Sequence, residues 1–551
     1  MSPGAAALPA ARYRARDPSR PIFGLTSATE SFVEAYLRWC APARVTALTR
    51  TEADFEALRA RGPAGGFDPG RLVRAGIGDH RALARCGALL HLDPMMAGAA
   101  RARPDPRAYS LIGLTHSLSS RESWREIQAY PSAPLQPWDA VVCTSTVARG
   151  LVDALLDAVD ESARRAGLPT PAPRPERPLI PLGIDAPALA RDPARRARWR
   201  TTHGRAEDEC VILCLGRLSM HAKAHPFAMF AAVAAAAPGR KLALALLGQA
   251  ATPAIAAVYR EAAVQVAAPV PVIFLDGPTE DDRADALSGA DAFISLADSV
   301  QETFGLAPVE AMAAGLPAIV TDWNGYRDTV RDGVDGFRIP TLMAAPPAAE
   351  GLAEHYIADR LDYDRFCAAL GQLVAVDVGA TVRAIEALDD PERRRSMGAA
   401  ATALARAIYD WPVVLGAYRA LWQALGERRR AGRRAAPVAA PPPPPPDPMR
   451  LFADFPTRRL DDGDGIAFLR PGAGATLAAA ARDPMFRHAF PLLPAPRTIA
   501  AILDLISARP GVTVAALAES ADPSARPAVL RLVLLLAKRD LVTVTPAGGA
   551  A

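Results

Sequence analysis

Lysine is scarce in this 551-residue chain, and arginine carries most of its positive charge. Together with heavy use of alanine and proline, this reads as GC-rich coding rather than as function. The net charge of +4 is small for the length, so composition alone argues neither for nor against nucleic-acid or membrane surfaces. The six cysteines form no CxxC pair, and several sit inside apolar runs such as CVILCLG. Buried, reduced thiols are therefore expected, which fits the cytoplasm, and metal binding by the cysteines is not expected. The N-terminus lacks the sustained apolar core of a secretory signal. One uncharged stretch, Leu242 to Tyr259, approaches membrane-spanning length, but Gly248, Thr252 and Pro253 punctuate it into strand, turn and helix. A soluble chain is expected.

What is present is a repeated alternation of short apolar runs and amphipathic stretches. From about Pro21 to Asp185, strands are expected at Ser110–Leu114, Ala140–Cys143 and Leu179–Ile180, with helices over Glu30–Arg38 and Val147–Val159. After a charged connector the pattern restarts. Strands are expected at Val211–Leu215, Leu242–Leu247, Val272–Leu275, Ala292–Leu296 and Ala318–Thr321. Short strands apolar on both faces, separated by helices, belong in parallel sheets covered on both sides. The pattern predicts an α/β chain of two Rossmann-like doubly wound domains facing a cleft, with ligands at the C-terminal ends of the strands. A basic run and six prolines, Pro441–Pro446, read as a stiff spacer. Beyond it, helices at Arg497–Ala508, Val514–Ser520 and Ala525–Arg539 and a strand at Leu541–Thr545 outline a small winged-helix-like α+β domain.

The segment SLADSVQETFGLAPVEAMAAGLPAIVTD carries the most chemistry. A strand ending near Leu296 runs into a loop bearing Glu302. Pro308 suits the first position of a helix, which puts Glu310 in its first turn, and Gly315 and Pro317 stop it. The backbone N–H groups of Phe304, Gly305 and Leu306 are expected to be free for an anionic or oxygen-rich ligand.

Glu302, the FG that follows it, Glu310 with AMA, and the terminal GLP resemble the E-x7-E signature of retaining GT-B glycosyltransferases of family 4 (glycosyl transferases group 1). CLGRLSMHAKAHP resembles that family's GRL…K segment, and IPLGID its hinge-proximal PNGID turn, with Leu182 in place of the usual Asn. The resemblance spans roughly residues 110–425 and implies sugar transfer from a nucleotide-sugar donor with retention of configuration. It implies that Arg217 and Lys223, after Gly216, clamp the donor diphosphate, that Glu310 binds the ribose hydroxyls, and that Glu302 contacts the transferred sugar. His116, in LIGLTHSLSS, is implied near the donor sugar, and VVCTSTVAR, which resembles the family's vSxxxr strand end, implies that Ser145 and Arg149 face the cleft. A cation about 4 Å from the leaving diphosphate contributes ~4 kcal/mol at an effective dielectric near 20. Two such cations stabilise the leaving group without a metal, so neither metal nor cofactor is expected.

The expected organisation is a flexible N-terminus (1–20), an acceptor domain (21–185), a donor domain (186–410), a return helix on the acceptor domain (411–430), a linker (431–448) and an accessory domain (449–551). The accessory domain is expected to be a packing or protein-interaction module rather than a nucleic-acid binder, since its last helix is mostly aliphatic. Asp461-Asp462-Gly463-Asp464 reads as a polar turn rather than a metal motif. The donor base and the acceptor stay open: saccharide, lipid-linked sugar, protein or small molecule. The cytoplasm is the expected location, with peripheral membrane attachment as an alternative. Two other functions stand beside transfer: a GT-B-fold sugar-nucleotide epimerase or glycosyl phosphorylase, and a non-catalytic sugar-nucleotide-binding scaffold.

Overall fold

The computed structural model describes residues 7–9, 24–40 and 44–548, apart from 61, 63–65, 170–173, 276–278, 433–446, 471, 473–476, 478–482, 484, 487–488 and 490–491. The chain divides into two compact units, Met1–Ala188 with Leu404–Pro444, and Leu189–Ala403 with Pro445–Ala551. Residues 441–446, read as a spacer, lie outside the described residues.

In the first unit, Leu8–Pro9 (β1) pairs in parallel with Val45–Thr49 (β2), which pairs with Leu72–Gly76 (β3). Ala88–Leu90 (β4), Ser110–Leu114 (β5) and Ala140–Val142 (β6) form a second parallel set. Ala7 joins the two sets: its N–H donates to Ala88 O at 2.9 Å, and its carbonyl accepts from Leu90 N at 3.1 Å. The strand order is therefore β3-β2-β1-β4-β5-β6, a doubly wound order. The N-terminus, expected to be flexible through residue 20, thus supplies a central strand. Its two residues in an Ala/Pro-rich run are too short for a periodic signal. Leu179–Ile180, expected as a strand, contributes only a single bridge, from Leu179 to Cys143. The helix Trp411–Ala431 belongs to this unit, where the Trp411 indole donates to Ser31 Oγ at 3.1 Å. The Trp411 ring also covers Gly183, where an added Cβ would lie 2.3 Å from it.

The second unit holds six parallel strands in the order β12-β11-β10-β7-β8-β9. They are Cys210–Leu215 (β7), Leu242–Leu247 (β8), Val272–Leu275 (β9), Ala292–Ser295 (β10), Ala318–Thr321 (β11) and Gly336–Ile339 (β12). Residues of β8 and β11 are buried throughout, as the apolar runs predict for a sheet covered on both faces. Strand order reverses between β7 and β10, so the loops after these two strands diverge at the switch point.

Thr341–Met343 (β13) extends this unit. It pairs antiparallel with Val374–Val376 (β14) and in parallel with Arg458–Arg459 (β15). Gly465–Phe468 (β16), Val512–Thr513 (β17) and Val542–Thr545 (β18) form an antiparallel sheet in the order β17-β16-β18. It packs with the helices Pro496–Ala508, Val514–Glu519 and Arg526–Lys538. The tail is not a separate body, as the sequence had suggested, but part of the second unit. Trp323 meets Phe455 edge to face at 5.4 Å between centroids, and Asn324 N donates to Phe455 O at 3.0 Å. Thr341 and Thr457 exchange two backbone-to-hydroxyl hydrogen bonds at 2.9 Å. Proline content reports local stiffness and leaves open where the chain packs afterwards. The aliphatic helix Arg526–Lys538 buries seven of its Val and Leu residues around its circumference, which requires cover on more than one side.

The Asp-rich turn is a polar turn: Asp464 N donates to Asp461 O at 3.1 Å, and Asp464 pairs with Arg458 at 2.8 Å.

Candidate donor site

The second unit gathers the sequence-predicted residues on the loops after β7 and β10 and the helix that follows. Gly216 leaves β7 with φ +145°, and its carbonyl passes so close to Gly248 that a Cβ there would lie 1.7 Å away. Leu218 N then donates to Gln249 O at 3.0 Å, which fixes Arg217 at the strand end. Residues 219–224 form a turn in which Ser219 O accepts from Lys223 N at 3.1 Å.

Lys223 Nζ donates to Glu302 Oε2 at 2.6 Å. The two side chains are 33% and 12% exposed, so the pair is shielded yet reachable. Burial works against ionisation of Glu302, but Lys223, the Phe304 N–H and the Arg217 charge outweigh it and hold the carboxyl below its usual range. The Phe304 N–H, expected to be free, is therefore given to Glu302. Asn324 Nδ2 donates to the Glu302 carbonyl at 2.8 Å, fixing the loop backbone from behind. Gly305 has φ +87° and lies against Tyr326, where a Cβ would come within 2.0 Å of the ring. A side chain at 305 would displace Tyr326, whose hydroxyl is 2.9 Å from Ser295 Oγ.

The helix begins at Leu306 and ends at Ala313, so Pro308 is its third residue rather than its first, and Glu310 lies beyond the first turn. The first four N–H groups of a helix have no intrahelical partner, so proline is tolerated at the third position too. Glu310 Oε1 accepts from Arg283 Nη1 at 2.9 Å. Burial pushes the Glu310 carboxyl up, against the pull of Arg283. Arg283 went unnoticed in the sequence because it stands 27 residues away on another helix.

His116 is not among these residues. It lies in the first unit, two residues beyond β5, where burial pushes its imidazole down to about 4 against the Leu92 carbonyl. Ser145 caps the helix Thr146–Arg165, its hydroxyl accepting from Ala148 N at 3.1 Å, which is a structural use of that side chain.

The depressed His116 has a consequence for stability. The unfolded chain takes up this proton near pH 6.5, the native state only at about 4. The stabilisation it brings is therefore complete above 6.5 and is lost as pH falls toward 4. His225, pushed well below its ordinary value by burial and by Lys538, acts in the same direction. The melting temperature is expected to fall across this window, and His116→Asn to shallow the slope. An unchanged slope in that variant would refute the assignment.

These loops can be compared with known proteins. Residues 209–358 match the family model "Glycosyl transferases group 1". The second unit thus carries a glycosyl transferases group 1 domain, whose span includes every residue discussed from Gly216 to Glu310. The "Putative glycosyltransferase EpsD" of Bacillus subtilis (strain 168) is 28% identical over 210 residues, 38% of this chain. The alignment spans only about half of that relative, 52% of its length. The crystal structure of Anabaena Alr3699/HepE in complex with UDP is similar with a TM-score of 0.50 at 15% identity, over 76% of this chain and 100% of that one. The fold is α/β and GT-B-like, with parallel sheets in both units. Among the described residues, no helix is long and apolar enough to cross a membrane.

Proposed function

We propose that the protein is a retaining glycosyltransferase of family 4 that moves a sugar from a nucleotide-sugar donor to an acceptor without a metal. The observation that carries the reading is the Lys223–Glu302 pair at 2.6 Å, with Arg217 adding to the field, on the two loops that diverge at the switch point. Such a site offers cations to a diphosphate and a carboxylate to sugar hydroxyls. In this reading Arg217 and Lys223 hold the diphosphate, Glu302 accepts from the transferred sugar, and Glu310, steered by Arg283, accepts from the ribose. The role implied for His116 rests on the resemblance alone.

The reaction follows from these roles. The acceptor oxygen forms its bond to the anomeric carbon on the face from which the phosphate oxygen departs, and the acceptor proton passes to that oxygen. Charge builds on the diphosphate as the bond breaks, and Arg217 and Lys223 already stand there to stabilise it. The acceptor is a saccharide, lipid-linked sugar, protein or small molecule, and we place the reaction in the cytoplasm. The tail, with three helices and a three-stranded antiparallel sheet, is read as winged-helix-like and as a surface for a protein partner.

Calorimetry with UDP and GDP tests the reading. Arg217→Ala or Lys223→Ala is expected to weaken the tighter of the two by about tenfold or more, the loss of a charge-assisted contact to phosphate. Equal affinity in wild type and variants would remove these residues from the site.

A further inference from the structure

The tail places a buried cation against the loop that carries Glu302. Lys538 ends the helix Arg526–Lys538, and its Nζ donates to Asp298 Oδ2 and, at 3.0 Å, to Val374 O in β14. The two side chains are 5% and 2% exposed. Asp298 lies just beyond β10, and its other oxygen, Oδ1, accepts from His225 N at 3.0 Å.

His225 is held by the tail as well. Its Nε2 lies 2.9 Å from Met485 O, and its Nδ1 accepts from Phe227 N at 3.3 Å. A neutral ring with the proton on Nε2 satisfies both partners. Phe486 packs on that ring at 4.6 Å between centroids. At the other end of the same segment, Ser299 Oγ donates to His221 O at 2.8 Å. Residues 221–225 are thus tied at both ends to the pair Asp298-Ser299, and Lys223 stands midway between the ties.

Composition adds an independent observation. The chain has three lysines, Lys223, Lys241 and Lys538, among 63 Lys and Arg. Lys241 makes an exposed pair with Asp208. The other two sit on carboxylates of one loop, Glu302 and Asp298. An ammonium brings three donors to a buried site and a guanidinium five, so lysine suits a closed pocket that offers one carboxylate and one carbonyl.

We propose that Asp298, held in place by Lys538 of the tail, is a positioning residue for the donor site: by accepting from the His225 N–H it sets where Lys223 stands in the diphosphate-binding loop. The inference rests on the donor-site reading above.

Two double variants of the full chain test it, Asp298→Asn with Lys538→Met and Asp298→Ala with Lys538→Met. Neither leaves a buried charge at the site, but only the asparagine keeps an oxygen for the His225 N–H. Calorimetry with UDP and GDP is expected to show the Asn variant binding at least about tenfold more tightly than the Ala variant, the equivalent of one lost buried hydrogen bond. In turnover the difference is expected in the donor KM rather than in kcat. Equal affinity of the two variants beside a binding wild type would overturn this inference and leave the donor reading intact. A wild type that binds neither nucleotide would overturn the donor reading, and this inference with it.

Discussion

Cutting the chain after residue 436 is expected to yield an insoluble or poorly folded protein. The deletion removes Lys538, the ion-pair partner of Asp298, which is 2% exposed in the full chain. Stripping one partner from a buried ion pair costs about 3–5 kcal/mol. The cut also takes β15 from the edge of β13, Phe455 from Trp323, and the aliphatic helix Arg526–Lys538 from the second unit. Burying the Val and Leu side chains of that helix is worth about 1.5–3 kcal/mol each, so several of them together rival the whole stability of a domain, about 5–15 kcal/mol. Soluble yield and the thermal melt of the shortened chain check this. A shortened protein that melts as the full chain does would show that the tail is dispensable to the fold.

Glu302→Gln is expected to move binding and turnover in opposite directions. The carboxylate holds Lys223 at 2.6 Å, so in the free protein it competes with a diphosphate for that ammonium. Glutamine keeps the shape and removes the competition, so UDP should bind at least as tightly as to wild type. Turnover should fall by about a hundredfold or more, the scale seen when a preorganised electrostatic contact to the reacting group is lost. Parallel losses of affinity and turnover would instead make Glu302 the residue that orients Lys223.

Much of the second unit was legible because its strands are short apolar runs with sharp boundaries. Leu242–Leu247, Val272–Leu275 and Ala318–Thr321 form as expected, residue for residue. Burial on both faces makes such runs uniformly apolar, and Gly or Pro at their ends marks them. The central strand β1 carries no such mark, since two residues in an alanine- and proline-rich segment have no period. Lys223 and Glu302 were legible through the motifs around them. Their supports were not: Asp298 and Lys538 stand 240 residues apart, and no spacing rule links a helix end to a distant loop. The clue available was the helix RPAVLRLVLLLAK, apolar around its circumference and therefore destined for burial on more than one side.

The central claim is that Arg217 and Lys223 serve the departure of a nucleoside diphosphate from a sugar. Release of nucleoside diphosphate from UDP-, GDP-, ADP- and dTDP-sugars, measured for the full chain and for an Arg217→Ala, Lys223→Ala double variant, tests it most directly. The account predicts that wild type turns over at least one of these donors and that the double variant loses about a hundredfold or more of that rate, the scale of two lost contacts to developing charge. Equal release by the two proteins, or no release by wild type from any donor, would contradict it.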